Sequence, residues 1–409
     1  MAISPTKQFR RFVIDTARAA EPVTPPCPHA PPGDFCGGCA LQNRSYADQV
    51  AAKIHALHAI WEDSADAQAL APLAVVPSPA PLGYRTRMDY VASKERFGLR
   101  RGGKFNYIID LSQCLLLPTH AFGAARSTYE RAIALGMPDY NLRSHAGYLR
   151  YIVVRRSPDD QLLLAAVTSA PEASAVLPAA MDALAQHALA QPGVLGFHWL
   201  VNDTRTDISF GALRQIWGAA RLPMRAGRAT LAIEANTFFQ NNVALLEPLL
   251  AAIRTAVFAG GVVRPRVADL YGGVGTIALQ IADAAESVLC VESVAESAAL
   301  ARENAAANGA ANVAVRAEDV ADALQTLPPA SFDVVVSDPP RVGMGEVVCR
   351  ELLRLAPQRI VYLSCNPPTQ REDASILAEG YTLTQLVGYD MYPQTPHLEA
   401  LAVFERRAG

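Results

Sequence analysis

The rhythm of apolar and polar positions changes twice along this chain. Up to about residue 35 no period is sustained, and PVTPPCPHAPPGDF is dense in proline. After CGGC, a helical spacing runs from about Tyr46 to Asp63. Between about 70 and 230 short alternating runs dominate: YRTRMDYVA, YLRYIVVRR, QLLLAAVTS and VLGFHWLVN. Alternation with period two is the mark of half-buried strands. One helical stretch, around Glu172 to Ala190, interrupts them. This part predicts an α+β domain of mainly antiparallel sheet.

From about Leu231 strands and helices alternate. VRPRVADLY leads through GGVG into TIALQIADA, and SVLCVE into AESAALARENAAANG, with Gly309 a C-cap. ANVAVRAED, FDVVVSD, GEVVCRELLRLA, RIVYLSC and TQREDASILAEG continue the series, and YTLTQLVGYD and EALAVFERR close it as a hairpin. A βαβ series ending in an antiparallel hairpin predicts a Rossmann-like, doubly wound α/β sheet with an altered edge. The expected divisions are an N-terminal extension (1–26), a central domain with a cysteine loop (27–230) and an α/β domain (231–409).

Composition narrows the class. With 409 residues, 51% hydrophobic and 18% charged, the chain has the makings of a globular protein of more than one domain. No apolar run approaches the roughly 18 residues of a membrane span, and MAISPTKQFRRFVIDT lacks the apolar centre of a secretory signal. A cytoplasmic monomer without a membrane partner is the expectation. The net charge of −3 gives no overall attraction for nucleic acid. Residues 81–160, however, hold thirteen Lys/Arg against seven Asp/Glu. Arg85, Arg87, Arg96, Arg100, Arg101 and Lys104 lead that excess, interleaved with Tyr84, Tyr90, Phe97 and Tyr107, and Arg150, Arg155 and Arg156 follow. Such a stretch suits either an RNA-facing surface or a solvated sheet face.

Candidate chemistry gathers where strands end, because a doubly wound sheet binds ligands there. In DLYGGVGT the glycines at 272, 273 and 275 allow a tight turn and a close backbone approach. Glu292, ending the next strand, is placed to accept from ribose hydroxyls, and Glu318–Asp319 at a third strand end from an adenine amino group. The loop departs from GxGxxG and no GK[ST] is present, so a nucleoside fits better than a dinucleotide or triphosphate. Further on come SDPPR (337–341), SCNP (364–367) and PQTPHLE (393–399).

Adding a methyl group to carbon 5 of uracil needs a nucleophile to add at carbon 6 and a base to remove the carbon 5 proton. Cys365 and Glu399 supply that kit. Asp338, held extended before two prolines, is placed to orient a ligand. His397 is better suited to shaping its loop than to moving protons. Cys290 and Cys349 read as buried core residues.

FFQNN, DLYGGVGT, SDPPRVG, LSCNPPT and PQTPHLE, in that order, resemble the motifs of the RNA uridine-5-methyltransferases, over about residues 27 to 409. The resemblance implies S-adenosylmethionine as methyl donor, an RNA substrate, Cys365 as nucleophile and Glu399 as base. It assigns Gln240, Tyr271, Glu292 and Asp338 to the donor site, which with Gly273, Thr276 and Asp319 forms the expected donor pocket. Phe238 matches an aromatic position nearby. Gly272 stands where the family usually has Cys, and Thr276 where Asn is common.

Four cysteines remain. Cys27, Cys36 and Cys39 are spaced C-x8-C-x2-C, and Cys114 follows in LSQCLLLP. Thiolates in this number suit either zinc or a 4Fe–4S cluster, and spacing does not choose between them. The resemblance favours the iron–sulfur cluster, because ribosomal members carry a similar CGGC-x-x-Q element with a distant fourth Cys. Relatives often place a small β-barrel before the cluster; FRRFVIDTARAAEPVTPPCPH resembles the end of such a barrel, and a chain without that domain is expected. The expected activity is 5-methyluridine formation in 23S ribosomal RNA, an RNA modification belonging to rRNA processing. The rival within the class is T-loop methylation of transfer RNA. Cytosine-5 methylation would want a second Cys in the DPP segment, which Pro339–Pro340 lacks. A non-catalytic iron–sulfur RNA-binding protein would not need Cys365 and Glu399.

Overall fold

The computed structural model describes residues 4–32, 35–170 and 176–407. The chain opens with helices α1 (Pro5–Arg18), α2 (Tyr46–Trp61) and α3 (Ala65–Ala69) and the short strand β1 (Ala74–Val76). Pro5 starts α1, a position where its missing N–H costs nothing, and Phe9, Val13 and Ala17 bury one face at four-residue spacing. This segment, whose sequence resembles the end of a β-barrel, is therefore a helix. Its apolar residues recur every four positions, and α2 and the helix Pro367–Leu377 cover them.

The central region contains β2 (Arg87–Ser93), β3 (Arg96–Arg101), β4 (Lys104–Asp110), α4 (Thr119–Ala134), β5 (Leu149–Arg156) and β6 (Leu162–Thr168). It continues with α5 (Val176–Leu189), β7 (Val194–Val201) and β8 (Ala212–Gly218). Its seven strands lie in the order β4-β3-β2-β5-β6-β7-β8, antiparallel except for β6 beside β7. The start of the helix expected from Glu172 lies outside the described residues. Helices α4 and α5 cover one face of the sheet, packing Ala121, Ala125 and Leu184 against Phe97 and Ile152. The other face, with Val153 and Leu163, shares a core with the C-terminal region.

A hairpin, β9 (Leu222–Ala226) and β10 (Ala229–Ile233), leads into α6 (Val243–Phe258), β11 (Arg266–Leu270), α7 (Thr276–Ile281) and β12 (Ser287–Glu292). Then follow α8 (Ala295–Ala307), β13 (Val313–Ala317), α9 (Val320–Gln325), β14 (Val334–Ser337) and α10 (Gly345–Leu355). The chain ends with β15 (Arg359–Ser364), α11 (Pro367–Leu377), β16 (Tyr381–Tyr389) and β17 (Glu399–Arg406). The eight-stranded sheet has the order β1-β16-β17-β15-β14-β11-β12-β13. Its β11–β15 portion is parallel, and β17 runs antiparallel between β15 and β16. Strand order reverses at β11, with β12 on one side and β14 on the other, which opens a crevice at their C-terminal ends. This is the α/β fold expected from the sequence. The sheet also takes in β1, paired with β16, from a segment placed by the sequence in the central domain. No helix among the described residues is long and apolar enough to cross a membrane.

Candidate active site

Strand register builds the site. Ser364 pairs with Ala400 across the antiparallel β15–β17 ladder, so the next residues outward, Cys365 and Glu399, face one another. Leu270 pairs with Ser337 and Ser337 with Tyr362, bringing Tyr271 and Asp338 to the same edge. The buried Glu399, the half-buried Asp338 and the Cys365 thiol therefore share one mouth, where the Asp338 charge disfavours that of Glu399 and both carboxylates disfavour the thiolate. Burial pushes Glu399 upward and the Asp338 charge adds to it, while Tyr392 and Arg341 oppose the rise. Asp338 is likewise raised by burial, moderated by the Gln240 amide, whose Nε2 donates to Oδ2 at 3.1 Å. Burial and then Glu399 push the Cys365 thiol up to about 12, with Arg341 opposing. His397 is driven down to about 3 by burial and by the surrounding cations Arg10, Arg341, Lys53 and Arg85, so its ring is neutral.

The glycine turn faces this mouth. Gly275 adopts φ +85 and caps α7, and Gly273 (φ +56) has open space where a side chain would stand. Glu292 accepts from the Gly273 N–H at 2.9 Å and the Val294 N–H at 2.7 Å, one on each oxygen. Those bonds fix the carboxylate and leave a lone pair on each oxygen. Asp319 caps α9 by accepting from the Ala321 N–H at 2.8 Å. Thr276 opens α7, and Tyr271, at φ +61, stands half-buried after β11. Gln240 is fixed from behind, its carbonyl accepting from the Thr86 hydroxyl at 3.0 Å. Among the described residues, buried Gln240 Oε1 and Glu399 Oε2 have no protein partner, and buried acceptors without partners are uncommon. The turn, the fixed carboxylates and the orphan acceptors fit a nucleoside bearing hydroxyl and amino donors.

The sequence reading missed what holds Glu399 in place. The loop between β16 and β17 is clamped by helix α2: Lys53 meets Asp390 at 2.6 Å with both side chains fully buried, and also donates to the Tyr392 carbonyl. Gln49 and Gln394 exchange two hydrogen bonds, and the Tyr84 hydroxyl donates to the Pro393 carbonyl at 2.9 Å. A Lys and a Gln on the buried face of a predicted helix were the available signal.

Cys27, Cys36, Cys39 and Cys114 are free and buried, and burial and then the neighbouring cysteines raise the thiols of Cys27, Cys36 and Cys39. Gln42 links the segments, its Oε1 accepting from the Cys27 N–H at 3.0 Å. Among the described residues, however, no three His, Cys, Asp or Glu side chains are arranged to hold a metal ion. Cys290 and Cys349 lie in the core.

Three arginines of the basic stretch are spent internally. Arg150, Arg155 and Arg156 are buried, as are Tyr84, Tyr90 and Phe97. Arg155 donates to the Thr237 carbonyl, and burial lowers it to about 9. Others of the stretch are half-buried and lie over aromatic rings: Arg96 over Tyr107, Arg100 over Phe105 and Arg87 over Phe210, at 4.4 to 4.6 Å. Phe105, Phe210 and Phe238 are largely exposed.

The family profile described as tRNA (Uracil-5-)-methyltransferase matches residues 219–407. An uncharacterised RNA methyltransferase of Caldanaerobacter subterraneus is 32% identical over 395 residues, covering 94% of this chain and 85% of the relative. The tRNA (uracil(54)-C(5))-methyltransferase of Pyrococcus horikoshii is 30% identical, covering 90% and 83%. The crystal structure of the Pyrococcus abyssi tRNA (uracil-54, C5)-methyltransferase, in complex with S-adenosyl-L-homocysteine, superposes with a TM-score of 0.75 at 27% identity. It covers 92% of this chain and 86% of that one.

Proposed function

This chain belongs to the family of S-adenosylmethionine-dependent RNA uracil-5-methyltransferases, and on that premise we propose that Cys365 is its nucleophile and Glu399 its base. The register that sets these two residues face to face carries the reading. The bound donor supplies an electrophilic methyl group. Carbon 5 of uracil becomes nucleophilic once the Cys365 thiolate adds to carbon 6 and leaves an enolate. After methylation Glu399 takes the carbon 5 proton, the sulfur–carbon 6 bond breaks, and the double bond and the thiolate are restored. Burial suits Glu399 to this work, because a carboxylate of raised pKa is the stronger base.

Gln240, Tyr271, Gly273, Thr276, Glu292, Asp319 and Asp338 would hold the donor. Glu292 is aimed at the ribose hydroxyls and Asp319 at the adenine amino group, each through oxygen lone pairs left free by its backbone bonds. Gln240 Oε1 is available to an ammonium donor. The target uridine must leave any stack to reach Cys365. Phe105, Tyr107 and Phe210, each under an arginine, form a surface on which flanking bases would stack. In this reading residues 27–230 serve RNA recognition and 231–409 catalysis, in a cytoplasmic monomer.

Cys27, Cys36, Cys39 and Cys114 would hold a 4Fe–4S cluster as thiolates, and the cluster would order the loop before α2. That set is the feature favouring 23S ribosomal RNA as substrate, whereas the Pyrococcus relatives favour the T loop of transfer RNA. Incubation with the donor and unmodified 23S rRNA and tRNA transcripts, followed by mass-spectrometric mapping of the methylated nucleotide, separates the two. Methylation of neither would refute the substrate reading.

A further inference from the structure

Helix α1 reaches the active site. The Thr6 hydroxyl donates to Asn366 Oδ1 at 3.1 Å, and Asn366 directly follows Cys365. The other half of the same amide, Nδ2, donates to the Arg341 carbonyl at 2.7 Å. The Thr369 hydroxyl approaches that carbonyl at 3.4 Å. One side chain thus ties the N-terminal helix to the loop after Asp338, with Cys365 beside the knot. Residues four apart share a helix face, so Arg10 stands one turn along from Thr6 on the side turned to Asn366.

Arg10 is half-buried and Arg341 exposed. The two repel one another, which together with burial lowers Arg10, while the Cys365 thiol attracts it. Among the described residues neither guanidinium is held by a hydrogen bond or a carboxylate partner. This contrasts with Arg87, Arg100, Arg126 and Arg156, each of which has an acid partner. Two cations that repel one another, neither in an ion pair among the described residues, at the lip of the candidate site, are complementary to an anion. A guanidinium recognises phosphate oxygens through its fork of N–H donors. In the RNA substrate the anionic group is the phosphodiester.

We propose that Arg10 and Arg341 together grip a phosphodiester flanking the target uridine and hold the extruded nucleotide over Cys365. This rests on the assignment of Cys365 as nucleophile. It gives the N-terminal helix a part in substrate binding, with Thr6 and Asn366 as positioning residues. The grip is electrostatic and independent of base identity, so it secures the nucleotide and leaves the choice of uridine to the cleft.

The test uses the full chain and an RNA transcript that the wild-type protein methylates. For Arg10→Ala the KM for RNA should rise about tenfold while kcat falls by less than about threefold. The slope of log affinity against log salt should lose about 0.7 to 0.9, the value of one phosphate contact. S-adenosylhomocysteine binding should stay at the wild-type level, and Arg10→Lys should recover part of the affinity through its charge. Arg341→Ala should show the same pattern. An unchanged KM and salt slope would overturn the proposal. So would a fall in kcat with a displaced pH profile at constant KM, which would assign Arg10 to the Cys365 thiolate. Loss of S-adenosylhomocysteine binding in both Arg10 variants would make the helix a structural prop and also refute the grip. A wild-type chain that methylates RNA in a Cys365-dependent way keeps the nucleophile assignment whatever Arg10 does. Activity surviving in Cys365→Ala would remove that assignment itself.

Discussion

Lys53 and Asp390 form a 2.6 Å ion pair with neither side chain exposed, joining helix α2 to the loop that delivers Glu399. Asp390 also accepts from the Tyr46 hydroxyl at 3.0 Å. Lys53→Met should cost about 3 to 5 kcal/mol, because it leaves a buried carboxylate without its cation. Asp390→Asn added to it removes the stranded charge and should recover part of the loss. Urea unfolding reads both; a Lys53→Met protein within about 0.5 kcal/mol of wild type would show that the pair does not hold the loop.

Cys365→Ala should lose methylation and also the covalent complex with RNA carrying 5-fluorouridine, in which no carbon 5 proton can be removed. Glu399→Gln should still attach to ordinary RNA, accumulate the adduct and turn over roughly 10²- to 10⁴-fold more slowly. Denaturing gels of protein with labelled RNA distinguish these outcomes. Normal turnover in Glu399→Gln would remove Glu399 as the base.

The same two residues give a pH prediction. The Glu399 charge helps to hold the Cys365 thiol up at about 12. Neutralising that carboxylate should therefore lower the thiol's proton affinity. At a fixed alkaline pH the Cys365 peptide of Glu399→Gln should be alkylated by iodoacetamide faster than in wild type. In wild type both groups are held protonated above their ordinary ranges, so kcat/KM should climb with pH beyond neutrality. An equal or slower alkylation rate would mean that the two do not sense one another.

Asp269, fully buried on β11, is pushed by burial from 3.8 up to about 7, although its Oδ2 accepts from the Ala278 N–H. Between those values the folded chain keeps a proton that the unfolded chain releases. Its contribution to stability is complete below 3.8 and lost as pH rises through about 7. Asp269→Asn should therefore flatten the fall in stability across this range, gaining on wild type as pH increases. Thermal melts at matched ionic strength follow it; an unchanged pH slope would place the carboxyl's proton affinity elsewhere.

Anaerobically purified protein should be brown and carry about four irons per chain. Cys114→Ser should lose both colour and iron while Cys349→Ser, in the core, keeps them. A colourless protein holding zinc would contradict the cluster.

That Cys365 and Glu399 face one another was legible because a Cys before Asn-Pro and a Glu opening the last strand both sit at strand ends, which local patterns mark. What escaped depends on partners remote in sequence or on burial. Lys53 and Asp390 are 337 residues apart, and nothing near either one announces the other. Helix α4 has no side-chain cap after Pro118 and carries Gly123 in its second turn. Packing of Ala121, Ala124, Ala125 and Tyr129, not propensity, holds it. Counting charges placed Arg150, Arg155 and Arg156 on a surface, but β5 is buried along its whole length and the guanidinium groups turn inward to carbonyls. The proline-rich surroundings of α1 hid its four-residue spacing.

The pairing of β1 with β16, and of Thr6 with Asn366 across 360 positions, also bears on how the protein is made. Helix α1 leaves the ribosome long before α11, on which it rests. Until β16 and β17 emerge, α1, α2 and β1 have no sheet edge to join, and their apolar faces wait in solution. Contacts of such span form slowly, after the loop between them has closed. The nascent chain should therefore complete its candidate site only once β16 and β17 have emerged, and chaperone dependence during synthesis should concentrate in the α1–β1 segment, residues 5–76.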